Sequence, residues 1–286
     1  MDGIAVIDKP AGWTSHDVVA KSRGILKTKK IGHSGTLDPD ATGVLVLGIG
    51  RATKLLRYLQ LLPKSYVGEI QFGVETSTLD AAGEVTARFD MQLEPDAVRR
   101  CASTLVGDIL QVPPMVSAVK VGGKRLHELA RQGIEIDRDA RPVTVYRFDV
   151  EPTEDPLRWR CWVECSSGTY VRVLAQDLGR ALGGGAHLCA LRRSAVGAFD
   201  ESMAVPLDAL DESKVYDMVT AVRGFPMVTV DAEIEKAVRQ GAVLDTETLG
   251  VRGDGPWPVL SADRELIAMY ERHHDRVKPS VVFAGP

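Results

Sequence analysis

Cysteine is scarce in this chain: Cys101, Cys161, Cys165 and Cys189 are too few and too irregularly spaced for a disulfide framework, which fits a reducing compartment. Cys161 and Cys165 do not form a C-x-x-C pair and no second pair follows, so they read as buried structural thiols, and no metal is expected. Long apolar runs are missing too, which excludes a helical membrane span. The opening MDGIAVIDKP lacks the basic, apolar and small-residue order of a secretory signal, so a cytoplasmic protein is expected. Nucleotide-cofactor motifs are absent as well. No Walker A sequence occurs, and GIGRAT at 48–53 lacks the last glycine of a dinucleotide fingerprint, so no organic cofactor is expected. Nor is there an overall excess of basic charge, the net charge being -4.

That acidic balance is uneven along the chain. Residues 1–72 carry 10 Lys and Arg against 6 Asp and Glu, residues 114–147 carry 7 against 4, and residues 200–250 carry 4 against 11. Screening confines each patch to about 10 Å at ordinary salt, so a basic face that follows phosphates can coexist with an acidic back. With 286 residues, 44% hydrophobic and 26% charged, the chain is expected to hold one large domain and a small one.

The apolar run at 4–7 predicts a strand, and Thr14 with Asp17 predicts the capped start of a helix whose Val18, Ser22 and Ile25 face inward. VLVLGIG at 44–50 predicts a buried strand. Residues 66–74 and 84–89 predict a hairpin, and Pro95 opens a helix with Val98, Cys101, Ala102 and Leu105 on one stripe. From about 114 to 146 the pattern dissolves into glycines and basic residues, which predicts a projecting segment. The strand RWRCWVECSSG then leads to a helix lined by Val171, Leu174, Ala175 and Leu178 and ended by three glycines. After an acidic stretch, a boundary is expected near residue 224. Beyond it Asp231 caps a short helix, and PVLSA and ELIAMY flank a hairpin turn at Asp263 and Arg264.

The chemistry concentrates in the loop GHSGTLDPDATG, where His33, Asp38 and Asp40 sit among glycines just before the buried strand. Asp38-Pro-Asp40-Ala-Thr42 also satisfies the D-x-D-x-T pattern of aspartate-dependent phosphotransferases. That chemistry wants an apolar strand running into the first Asp and an acidic cluster downstream, whereas here the strand follows. Taken alone, an Asp-Pro pair in such a loop is an ordinary turn.

Five ordered blocks change the weighing: DKPAGWTSHDVV, GHSGTLDPDATGVLVLGIGRATK, KSYVGEIQFGVETSTLDAAGEV, QVPPMVSAVKVGGKRLHELARQG with RPVTVY, and SSGTYVRVLAQDLG followed by HLCALRR. Through them the chain resembles the bacterial TruB family of tRNA pseudouridine synthases. The resemblance implies Asp38 as the nucleophile on a uridine, with Arg172 beside it, where a cation lowers a carboxyl pKa. It also implies Tyr66 stacking on the flipped base and aiding removal of the C5 proton, Tyr170 hydrogen-bonding in the pocket, and Leu191 as an apolar wall. His33 is expected at the RNA. Without the family, Tyr66 and Leu191 read as core residues, Arg172 as a solvated charge and His33 as an ordinary loop residue. Lys9 is expected to support the site structurally, while Lys120, Lys124, Arg125 and Arg131 on the projecting segment suit phosphates.

The expected fold is α/β of the α+β type, with a mixed, largely antiparallel sheet in a pseudouridine-synthase domain (1–223) and a small β-rich, PUA-like RNA-binding domain (224–286). The resemblance implies isomerisation of uridine 55 in the tRNA T loop without cofactor, metal or obligate protein partner, and a monomer is the default. An RNA-binding or tRNA-folding protein without turnover is the competing possibility at this point.

Overall fold

The computed structural model describes residues 1–117, 120–121, 123–130 and 132–283, with only the backbone at positions 120, 121, 124, 125, 127 and 128. Arg131 and the side chains of Lys120, Lys124 and Arg125 therefore lie outside the described residues, and so does the phosphate-contact expectation placed on them.

The strands are β1 (Gly3–Lys9), β2 (Ile31–His33), β3 (Thr42–Ile49), β4 (Lys64–Phe72), β5 (Val74–Thr76), β6 (Val85–Arg88), β7 (Gly107–Gln111), β8 (Lys120–Val121), β9 (Lys124–Arg125), β10 (Arg141–Pro152), β11 (Arg158–Cys165), β12 (Ala186–Val196), β13 (Phe199–Asp200) and β14 (Val205–Pro206). Ten of them form one sheet in the order β14-β1-β3-β12-β4-β11-β10-β7, with β13 added to β12 and β2 to β3. Only β1 with β14 and β3 with β12 run parallel, so the sheet is mixed and largely antiparallel as expected. The parallel β3–β12 junction, where Gly43 pairs with Arg193, joins the two halves of the sheet. The backbones come so close there that a Cβ on Gly43 would lie 2.3 Å from the Arg193 carbonyl oxygen, and Gly43 also has φ +99°.

Both faces of β1 and β3 are covered, which is why their sequences are continuously apolar rather than alternating. Ala5, Ile7, Leu45 and Leu47 pack under helix α1 (Ser15–Ile25) with Val18 and Val19. Ile4, Val6, Val44 and Val46 face a second cluster. Thr14 and Asp17 form the reciprocal capping box, a contribution of about 1 kcal/mol to the helix. After the short helix α2 (Leu56–Leu59), helices α3 (Pro95–Thr104) and α5 (Val171–Ala181) cover one face of the other half-sheet, where Val98, Ala102, Leu174 and Leu178 meet Ile70, Phe72, Trp159 and Cys161. Cys165 is buried in the same cluster. Helix α4 (Leu126–Ala130) belongs to the segment between β7 and β10.

Three expectations need correction. The strand written as 66–74 is two: β4 ends at Phe72, Gly73 turns the chain at φ +82°, and β5 pairs with β6 in a separate two-stranded hairpin. The projecting segment is shorter at its far end, because β10 starts at Arg141 and pairs with β7. His33 is not in a loop but ends β2, paired with Leu47.

A five-stranded sheet follows, built from β15 (Val228–Thr229), β16 (Leu244–Asp245), β17 (Trp257–Leu260), β18 (Leu266–His273) and β19 (Arg276–Val282) in the order β15-β17-β18-β19-β16. Strands on either side of residue 224 thus belong to different sheets, yet they share one apolar cluster in which Leu260, Leu266, Met269 and Phe283 pack with Ile4, Val6, Leu55 and Tyr58. Glu271 reinforces the seam by accepting from Arg57 and from the Tyr58 hydroxyl, each at 2.8 Å. Among the described residues no helix is long and apolar enough to cross a membrane.

Candidate active site

The β3–β12 junction opens beside the loop that carries Asp38, and the result is a cavity of about 540 Å³ whose walls include Asp38, Tyr66, Tyr170, Arg172 and Leu191. These five sequence-predicted residues come from four separate parts of the chain and are brought together. His33 is not part of that wall. It lies on the β2 side, edge-on to His16 with ring centres 5.3 Å apart, and its Nδ1 accepts from the Gly35 amide at 3.3 Å. Burial first, and the neighbouring His16 second, push its pKa down to about 4.

The loop bearing Asp38 is held from both sides. Lys9, fully buried, donates to the carbonyls of Pro10 (2.9 Å), Trp13 (2.6 Å) and Pro39 (2.8 Å), so it meets backbone rather than the Asp38 carboxylate. Its burial lowers its pKa to about 8. Ser15 Oγ accepts from the Leu37 amide at 2.9 Å, and the Pro39 carbonyl also accepts from the Gly12 amide at 3.0 Å. From the opposite side Arg193 donates to the carbonyls of Gly35 and Val44, at 3.2 and 2.7 Å. Asp40, next in the loop, is exposed.

Arg172 is the organising cation. Only 3% of its side chain is exposed, and its Nε and Nη2 reach the two oxygens of Asp38 at 3.1 and 3.3 Å in a fork. Its Nη1 donates to Asp80 at 3.1 Å and to the Thr78 carbonyl at 3.0 Å, and Nη2 also donates to the Val116 carbonyl at 3.0 Å. The guanidinium is thus fixed in plane by two carboxylates and two carbonyls. Its effect on Asp38 differs from the expectation. Burial dominates and raises the Asp38 carboxyl above its ordinary value, Arg172 opposes that rise, and Asp80 adds to it. The arginine therefore counteracts desolvation rather than producing a net depression.

Tyr170 precedes α5 and is clamped by Gln111 on β7, whose side-chain oxygen accepts from the Tyr170 amide at 2.9 Å. Burial raises its phenol above the ordinary value, with a hydrogen bond to Ser117 opposing. Tyr66 on β4 lies in register with Arg193 on β12. Burial raises this phenol as well, and the Arg193 charge opposes the rise. Leu191, two residues before Arg193 on β12, places its side chain on the cavity wall.

Sequence reasoning missed Asp80, Gln111, Lys64 and Arg193. Their signals were in view, since Asp80 sits in TSTLDAAGEV, Lys64 in KSY and Arg193 in ALRR, but nothing local says that Lys64 and Arg193 line this cavity or that Asp80 and Gln111 hold Arg172 and Tyr170 on its wall. Among the described residues no cluster of His, Cys, Asp and Glu has the form of a metal site. The arrangement offers a carboxylate aimed by a buried fork, an aromatic face and an apolar wall. Those are the parts needed to hold a planar base and attack beside it.

Comparisons with known proteins agree with that chemistry. The family model described as TruB family pseudouridylate synthase (N terminal domain) matches residues 23–171, and that described as tRNA pseudouridylate synthase B C-terminal domain matches residues 172–222. A protein of Nocardia farcinica named tRNA pseudouridine synthase B is 48% identical over 289 residues, covering 99% of this chain and 93% of that protein. One of Shouchella clausii with the same name is 41% identical over 297 residues, covering 98% of each. Among solved structures, a chain of "Crystal Structure of a Cbf5-Nop10-Gar1 Complex" superposes with a TM-score of 0.77 at 27% identity, covering 98% of this chain and 84% of that one.

Proposed function

This chain belongs to the TruB family of pseudouridylate synthases and is an RNA pseudouridine synthase, and from that premise we propose that it isomerises uridine 55 in the T loop of tRNA with Asp38 as the nucleophile. The observation that carries the reading is the Asp38–Arg172 fork at the wall of a cavity that Tyr66, Tyr170 and Leu191 also line. A uridine in a structured loop is stacked, so it must be turned out of the RNA before Asp38 can reach it. In the cavity Tyr66 stacks on the ring, Leu191 closes the other face and Tyr170 hydrogen-bonds at the edge. Arg172 keeps the carboxylate ionised and aimed, against the desolvation that favours its protonation. His33 stands outside the cavity and meets the RNA strand from which the base has left. Residues 1–223 act as the catalytic domain and residues 224–286 as a PUA-like RNA-binding module, in a monomer working on cytoplasmic tRNA.

The test is position-resolved pseudouridine mapping of an unmodified tRNA transcript incubated with wild-type protein and with Asp38→Asn, without added metal. We expect pseudouridine at position 55 with the wild type only, and a turnover at least about 10⁴-fold lower for Asp38→Asn, with RNA affinity retained. Conversion by the variant would remove Asp38 from its role, and conversion at another uridine would remove the assignment to position 55.

A further inference from the structure

The cavity wall carries a second set of charges besides Asp38 and Arg172, and they are arranged differently. Lys64, two residues before Tyr66 on β4, is 5% exposed, and its ammonium donates to the backbone carbonyls of Gln60 and, at 2.7 Å, Leu62. Arg193 is 1% exposed and bonds the loop carbonyls already described. Both line the cavity. Among the described residues, the ion pairs of the molecule include neither of them. Ser34 lines the same cavity, and its hydroxyl is fully buried with no hydrogen-bond partner among the described residues.

Carbonyl oxygens satisfy the donors of a cation but leave its charge uncancelled, and taking two such charges out of water is expensive. A structural strut between α2 and β4 would need only donors. The charge is surplus to that task, and so is the Ser34 hydroxyl, which has no partner among the described residues. Their common property is a place on the cavity wall with a donor or a charge that the described residues leave unanswered. The proposed reaction makes such an anion there.

Resting on that reading of the reaction, we propose that Lys64, supported by Arg193 and the Ser34 hydroxyl, stabilises the negative charge carried by the uracil ring while it is detached from the ribose. Written for attack at C1′, an Asp38 oxygen bonds to C1′ as the C1′–N1 bond breaks, and that bond's electron pair stays on the ring. Uracil is then a monoanion with its charge spread over N1, O2 and O4. On rejoining, C5 supplies the pair for the C1′–C5 bond, and the C1′–O ester bond breaks with its pair returning to Asp38. The C5 proton leaves to a base, N1 takes up a proton, and nothing is consumed. A preorganised cation in a site shielded from water acts most strongly on charge that exists only along the reaction path. Arg172 has no such capacity to spare, because it is already shared between Asp38 and Asp80.

The test compares single-turnover rates on two T stem-loop RNAs that carry uridine or 5-fluorouridine at the target position. The readout is loss of the starting nucleoside. Fluorine withdraws electrons and stabilises the ring anion unaided, so that substrate needs less help from the protein. Lys64→Gln keeps an N–H donor and removes the charge, and we expect it to slow conversion of uridine by about 10²–10³-fold with RNA affinity within about twofold of wild type. On 5-fluorouridine the loss should be at least about tenfold smaller. Lys64→Arg should recover most of the rate. Ser34→Ala removes a hydroxyl that has no hydrogen-bond partner among the described residues, and should show the same substrate-dependent pattern with about a fivefold loss on uridine. That variant keeps the test available if Lys64→Gln does not fold. Equal losses on the two RNAs, or a loss confined to affinity, would overturn the proposal while leaving the reaction intact. Wild-type protein converting neither RNA would instead overturn the reaction itself.

Discussion

Around Arg172 a single guanidinium is shared by two carboxylates, whereas Lys64 and Arg193, on the same cavity wall, form no ion pair with a carboxylate among the described residues. The first arrangement is complete before any substrate arrives. Arg172 spends its donors on Asp38, Asp80 and two carbonyls, which holds the Asp38 oxygens in one orientation. The second has carbonyl acceptors for its cations, but among the described residues no ion pair. The contrast teaches that burial alone does not reveal the work of a charged residue: what matters is whether its charge is already answered within the fold.

The largest effect that would break the comparison lies at Arg172. Arg172→Lys retains a positive charge but cannot reach both Asp38 oxygens and Asp80 at once. The single-turnover rate on a T stem-loop RNA should fall about 10²–10³-fold. A loss below about threefold would mean that charge alone suffices and that the fork is incidental. Asp80→Asn is a gentler probe of the same arrangement. It keeps the shape, weakens one anchor of the guanidinium and removes a like charge that raises the Asp38 carboxyl. The rate should fall about tenfold. The acid limb of the pH–rate profile should also move to lower pH, because the Asp38 carboxylate then persists further into acid. A limb moving upward would show that Asp80 acts on Asp38 otherwise than through charge.

The smallest effect concerns His33, which belongs to neither arrangement. Its folded pKa of about 4 lies below the ordinary 6.5, so as pH falls through that interval the unfolded chain takes up a proton that the folded protein refuses. Stability attributable to this group is present above pH 6.5 and lost towards pH 4. Between pH 7 and 4.5 the loss should be about 2–3 kcal/mol by urea unfolding, and His33→Asn should flatten the curve by that amount. The variant should leave the single-turnover rate at saturating RNA within about threefold of wild type. A large loss there would place His33 within the chemistry after all.

The elements were legible in the sequence wherever the signal was local. The Thr14–Asp17 box, the stripe on α5 and the apolar runs of β1 and β3 each state their structure within a few residues, because capping and periodicity are short-range effects. The split of residues 66–74 was not legible, since apolar alternation continues across Gly73 and only the pairing partners change there. His33 was misplaced for a related reason. Glycine neighbours suggest a loop, but pairing with β3 makes a strand of it.

For the site, the order of motifs by itself determined the family likeness and the identities of Asp38, Tyr66, Tyr170, Arg172 and Leu191 as a set. Their meeting at one wall, the second carboxylate on Arg172, the upward pressure on the Asp38 carboxyl and the unanswered charge of Lys64 and Arg193 were decided only by the tertiary structure. Arg172 lies 134 positions from Asp38 and 92 from Asp80, and nothing in a local pattern encodes contacts at that separation. They exist because the β3–β12 junction brings distant strands within hydrogen-bonding distance. Desolvation and charge pairing are properties of that enclosed space rather than of any residue in it.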